Sequence, residues 1–155
     1  MFDSLKETLS HIRKVQFFLM EIIMKIHKRS IHHDDSKLHE PEKAVYDRYT
    51  PMLRSLTYGS DEYKSTLKDM GVALEHHYAV NSHHPEHYQN GINGMNLIDL
   101  IEMISDWKAA SLRHADGDIL KSIKINKARF GISDQLETIL INTIVEMGWL
   151  VKHDG

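Results

Sequence analysis

Apolar residues recur every three or four positions along most of the chain. Leu5, Leu9, Ile12, Val15, Leu19, Ile22 or Ile23, and Ile26 form the longest such stripe. That spacing keeps one face of an α-helix apolar and predicts a first helix over residues 4–29. Ser4 with Glu7 three residues on reads as a capping box at its start. A short helix or turn is expected over 31–38. Pro41 fits the first turn of a further helix through Val45 and Tyr49, which Pro51 interrupts or ends. Ser60 is placed to cap a helix that carries Leu67, Met70, Leu74, His77 and Asn81 at helical spacing and finishes before Pro85. Asn90-Gly91-Ile92-Asn93-Gly94 reads as a loop. Asn96 is expected to cap a helix from Leu97 to about His114, in which Leu97, Ile101, Ile104 and Leu112 alternate with Asp99, Glu102, Asp106 and Arg113. Gly117 breaks the chain again, and two helices follow over 118–130 and 133–147, the second capped by Ser133. No strand or internal repeat is predicted. The expectation is an all-α fold, a compact bundle of six or seven helices in a single domain over residues 1–155.

Composition narrows the setting. The chain has 41% apolar and 26% charged residues, ordinary proportions for a soluble domain. No apolar run approaches the ~18 residues of a membrane span, and the early Asp3 and Glu7 do not suit a signal peptide. Cysteine is absent, which removes disulfides, thiolate metal sites and cysteine nucleophiles and fits a cytoplasmic setting. The net charge of −3, with acids and bases interleaved, gives no footprint for duplex nucleic acid. Phe17, Phe18 and Met24 around the first helix hint at a partner surface, such as a homo-oligomer contact.

The twelve histidines change the picture, because they concentrate in doublets: His32-His33, His76-His77 and His83-His84. Neutral imidazole and carboxylate are ligands for borderline divalent metals. Ile31 to Lys37 places His33 and Asp34 side by side with Lys37 three residues later, one helical turn away. A polar turn between helices is the plainer account of that pair taken alone. Residues 76–87 hold five histidines. His77, Asn81 and His84 would share one face if the helix persisted, and Pro85 could aim His83 and His84 at one point. A polar helix end is the alternative there. Asp106 lies amid Ile and Met on a helix that otherwise looks buried, where an unpaired acid is costly, with Asp99 and Glu102 as supporting acids on roughly the same face. His11, at the border of the first stripe, points inward either as a ligand or as a hydrogen-bonded core residue.

In chain order these read His, His-Asp-x-x-Lys, His, His-His, Asp. This order resembles the HD-domain metal-dependent phosphohydrolases, and within them the two-metal branch. His83-His84-Pro85-Glu86 with nearby Asn90-Gly91 is similar to a stretch of the cyclic-dinucleotide phosphodiesterases, although their Gly-Tyr-Pro signature is absent. Small HD-like proteins of phages and bacteria share a pattern like His77-x-x-x-Asn81-x-His83-His84-Pro85-Glu86 and Asp106-Trp107-Lys108. The resemblance covers residues from about 11 to 110. It implies an HD-like bundle with ligand roles for His11, His33, Asp34, His77, His83 or His84, and Asp106.

The reaction expected from this is phosphoester hydrolysis, on a nucleotide or a related small phosphorylated metabolite. One or two divalent transition-metal ions (Mn, Fe, Co, Ni or Zn) would activate water, two such ions lying ~3.5–4 Å apart. Asp34 would bridge them and Lys37 would neutralise a phosphate oxygen. Lys108 and Arg113 are further candidates for substrate binding. Three rivals stand beside this reading: a di-iron oxygenase with the same ligand order, a non-catalytic metal-stabilised binding protein, and a metal-free histidine pH sensor. A serine hydrolase is disfavoured, because no Gly-x-Ser-x-Gly elbow is present.

Overall fold

The computed structural model describes residues 3–57, 59–113 and 117–150. Among them are seven α-helices, three short 3-10 segments and no strand, so the fold is all-α. None of these helices is long and apolar enough to cross a membrane. The chain divides into two units, residues 1–33 and 34–155.

The first unit is one helix, α1 (Leu5–His32), three residues longer at its C-terminus than the apolar stripe predicted. None of its 28 residues is buried. The expected capping box does not form. Ser4 already has helical dihedrals and its side chain makes no cap bond, whereas a capping side chain needs an extended backbone to reach forward. Asp3 Oδ1 takes the Leu5 N–H instead, at 3.0 Å.

The second unit holds α2 (Lys43–Arg54), α3 (Asp61–Asp69), α4 (Gly71–Val80), α5 (Leu97–Ser111), α6 (Ile119–Phe130) and α7 (Asp134–Glu146). Its main core lies among the last three helices. Met103, Ile104 and Trp107 of α5 meet Ile119 and Ile123 of α6, Ile132 of the next turn, and Leu140 and Ile144 of α7. Trp107 stacks on Phe130 with rings 9° from parallel. Three caps fall where expected: Ser60 accepts from Tyr63 N–H, Ser133 from Leu136 N–H, and Asn96 forms a full capping box with Asp99. Asp118 caps α6 rather than belonging to it. The expected end of α5 at His114 lies outside the described residues.

Three expectations are corrected. Pro51 sits inside α2 rather than ending it. It falls in the last turn, where a missing N–H removes only one ladder bond. The helix expected from Ser60 onward is two helices, broken at Gly71, whose φ of +47° lies in the left-handed region that glycine tolerates. Asn90–Gly94 contains a 3-10 turn (Gly91–Gly94) with Ile92 buried in the core.

Candidate metal centre

The second unit brings its histidines and acids together from three places. Asp34 opens the unit, just before the 3-10 segment Asp35–Leu38. His77 stands in the last turn of α4. His83 and His84 follow in the turn before buried Pro85, where His84 takes an extended backbone. Asn81 is also extended and ends the helix, so His84 reaches the cluster through the turn and not along a continued helical face. Its partner in the doublet, His83, arrives by the same turn, and both members of this doublet contribute.

The atoms converge closely. Asp34 Oδ1 lies 3.4 Å from His77 Nε2 and 3.4 Å from His83 Nε2. His77 Nε2 and His84 Nε2 are 2.9 Å apart. One ligand-type atom from each of Asp34, His77, His83 and His84 fits within 4.8 Å of the others. Ligands held ~2.0–2.1 Å from a tetrahedral ion lie ~3.3–3.4 Å from one another. Two of the observed separations match that spacing, and the His77–His84 pair would open by a few tenths of an ångström. Three imidazoles and one carboxylate are a donor set suited to Zn, Fe, Co, Ni or Mn, so the residues fit a divalent transition metal.

Each of the two most buried imidazoles is held from behind by a carboxylate. His83 Nδ1 lies 3.2 Å from Glu102 Oε1 of α5. His77 Nδ1 lies 2.9 Å from Glu42 Oε2, and Glu42 is fully buried. Glu42 Oε1 is 2.7 Å from His76 Nδ1, and Ser36 Oγ donates to Oε2 at 3.0 Å. The sequence reading missed Glu42 and Ser36. Glu42 follows Pro41 at a helix start, where an acid is ordinary, and periodicity carries no sign that it faces inward.

Charge states follow burial and neighbours. Burial drives the His84 pKa down to about 3, helped by His83 and His77. Burial, then the Lys37 ammonium, lowers that of His77. For His83 burial also pushes down, but the neighbouring carboxylates of Asp34 and Glu102 outweigh it and the net shift is upward. Burial, then Glu42 and Asp34, pushes Tyr46 up, keeping its phenol neutral.

The remaining candidates are placed as follows. Lys37 Nζ donates to Asp34 Oδ2 at 2.6 Å and stands 4.9 Å from the Tyr46 ring centroid. Asp106 is half-buried on α5, with a carboxylate oxygen within 4.8 Å of a His83 ring nitrogen. Glu102 supports the cluster as expected, but Asp99 does not. Asp99 is fully buried and accepts from Ser82 Oγ, Tyr88 OH and the Asn96 N–H. Lys108 Nζ donates to the Trp149 carbonyl at 2.8 Å, which ties α5 to the turn after α7. Arg113 is exposed beyond the end of α5. His33 is the half-buried cap of α1 and His11 is exposed on that helix; both belong to the first unit, and the four-residue cluster is built without them.

Fold and site together define an all-α protein with a histidine-rich cluster of metal-ligand type. The chain belongs to a family of unknown function (DUF5662), whose model matches residues 1–146. Comparison with curated proteins and with solved structures gives no match.

Proposed function

We propose that the second unit binds a divalent transition-metal ion and hydrolyses a small phosphoester, with nucleotides as the first class to test. The observation that carries the metal reading is the convergence of Asp34 Oδ1 with the Nε2 atoms of His77, His83 and His84. Such an ion, when bound, supplies Lewis acidity and lowers the pKa of a coordinated water. The chain's own residues supply the rest. Asp34 holds Lys37 beside the cluster, so the ammonium can neutralise charge developing on a phosphate oxygen. The Tyr46 ring holds Lys37 from another side. The hydrolytic step also draws on the likeness of the His, His-Asp-x-x-Lys, His, His-His, Asp order to HD-domain phosphohydrolases.

One observation favours a second reading. His77 and His83 are 1% and 2% exposed, and four protein ligands fill a tetrahedral shell. A closed shell of that kind is structural, whereas a catalytic ion keeps an open position. Coordination number separates the two. The experiment is metal analysis of the purified protein, X-ray absorption on the loaded form, and a phosphoester panel with each ion. Five or six neighbours with phosphate release supports hydrolysis. Four protein neighbours with no turnover supports a metal-stabilised binding domain. Oxygen consumption by the iron form would replace hydrolysis with oxidation, and no bound ion under any loading condition would end both metal readings.

A further inference from the structure

We infer that Glu42 is a positioning residue which fixes His77 in the Nδ1–H tautomer and thereby turns the Nε2 lone pair toward Asp34 and His84. The inference rests on the reading of His77 as a metal ligand.

The distances around Glu42 favour one assignment of the protons, in which each donor serves its nearest oxygen. Asn81 Nδ2 has two hydrogens. Three atoms that could accept face it: Ser36 Oγ at 2.8 Å, the His77 carbonyl at 2.9 Å and His77 Nδ1 at 3.0 Å, and the two oxygens are the nearer. Both hydrogens are spent there, so the 3.0 Å approach of Asn81 Nδ2 to His77 Nδ1 is proximity and not a donated bond. Ser36 Oγ, having accepted from Asn81, gives its own proton to Glu42 Oε2 at 3.0 Å. That leaves none for His77 Nδ1, 3.3 Å away. His77 Nδ1 therefore faces a carboxylate oxygen at 2.9 Å and no available donor. A lone pair on Nδ1 would be opposed by the oxygen lone pairs in a fully buried setting, so Nδ1 carries the proton. His76 donates to the other oxygen, Oε1, at 2.7 Å. With Nδ1 protonated in a neutral ring, Nε2 is the ligand atom; without the ion it accepts from His84 Nε2–H at 2.9 Å, a closer partner than Asp34 Oδ1 at 3.4 Å. Metal-bound histidines commonly rest on a carboxylate in this way. Glu102 behind His83 is the looser counterpart, at 3.2 Å and on a residue that is not fully buried.

The test uses the full chain and two variants. Glu42→Met keeps side-chain length and removes both acceptors. Glu42→Gln keeps one acceptor oxygen, which can face His77 while its amide turns to His76. Cobalt(II) and zinc affinity would be titrated for each, and the His77 tautomer read from ¹⁵N ring shifts, assigned by their loss in His77→Gln. The expected result is Nδ1–H in the metal-free wild type, a ~10–100-fold loss of metal affinity in Glu42→Met, and recovery of most of it in Glu42→Gln. A folded Glu42→Met with affinity within threefold of wild type would overturn the inference. So would an Nε2–H tautomer in the wild type, a measurement that stands even if Glu42→Met does not fold. Should the wild type bind no metal, the metal reading fails by itself, and the tautomer measurement alone decides the role of Glu42.

Discussion

Asp34 Oδ1 lies 3.4 Å from His77 Nε2, and Asp34 makes this approach from a left-handed backbone with φ of 60°. It is the one non-glycine residue with positive φ among those described. Such strain persists where surrounding contacts enforce it, and it concentrates at functional sites. Asparagine tolerates this conformation and alanine does not. Asp34→Asn keeps the left-handed backbone but loses the charge that pairs with Lys37, so metal-free stability should fall by ~1 kcal/mol, while metal binding weakens at least ~10-fold, or ~1.4 kcal/mol. Asp34→Ala should add a stability loss of ~1–2 kcal/mol from backbone strain. Calorimetric titration with chemical denaturation separates the two effects.

Bound metal should also stabilise the fold. The cluster joins the segment before α2, the end of α4 and the following turn. An ion at one hundred times its Kd adds ~2.7 kcal/mol. For a chain of this size that corresponds to a rise of roughly 5–10 °C in Tm. Chelator should reverse the rise, and His84→Ala should reduce it sharply while leaving the metal-free Tm little changed. Differential scanning fluorimetry across the first-row ions measures this directly. Equal shifts in wild type and His84→Ala would place the ion elsewhere.

Much of this was legible in the sequence because helical periodicity and caps are local. Ser60, Asn96 and Ser133 act on the next few residues, and their roles need no tertiary context. The histidine doublets were legible as chemistry but not as geometry. His84 joins His77 by a turn that follows an extended Asn81, which a helical-face argument cannot anticipate. Glu42 was not legible at all. Its importance comes from contacts 34 and 35 residues away in the chain, and an acid at a helix start is commonplace. Asp99 was misread for a related reason. Its spacing puts it near Glu102 and Asp106, yet it lies in the first turn of α5, where its carboxylate answers to the cap.

That position makes Asp99 a control for the site residues. It is fully buried and accepts from Ser82, Tyr88 and the Asn96 backbone. Asp99→Ala leaves those donors without their acceptor and should cost ~3 kcal/mol or more of stability. Metal affinity of the folded fraction should stay within threefold of wild type. Gly94→Ala should act on the same corner, because an added Cβ would stand 2.6 Å from Tyr88 Cβ and would push the ring whose hydroxyl reaches Asp99. Urea denaturation read beside metal titration would show stability falling without affinity. A parallel loss of affinity in Asp99→Ala would return it to the metal centre.

The buried imidazoles also set the pH dependence of the metal-free protein. His77 and His84 have folded pKa values below the ordinary 6.5, that of His84 about 3, with burial the largest cause in each. As pH falls below about 6.5 the unfolded chain takes up protons at both positions while the folded one resists. Stability is therefore lost on acidification, beginning near pH 6.5 and continuing for His84 down toward about 3. His83 has the opposite sign. Burial lowers its pKa, but the adjacent carboxylates of Asp34 and Glu102 leave it raised, so its contribution is complete below the unfolded value and is lost as pH rises through the folded one. The two effects place the stability maximum near pH 6.5. Urea melts of chelator-treated protein should show a drop on the order of 1–2 kcal/mol between about pH 6.5 and 5, above the range where ordinary carboxylates titrate. His84→Asn should flatten that limb. A wild-type profile level across this window would mean that His77 and His84 stay hydrated and protonate like free imidazoles, and the packed cluster described here would then not persist in solution without its ion.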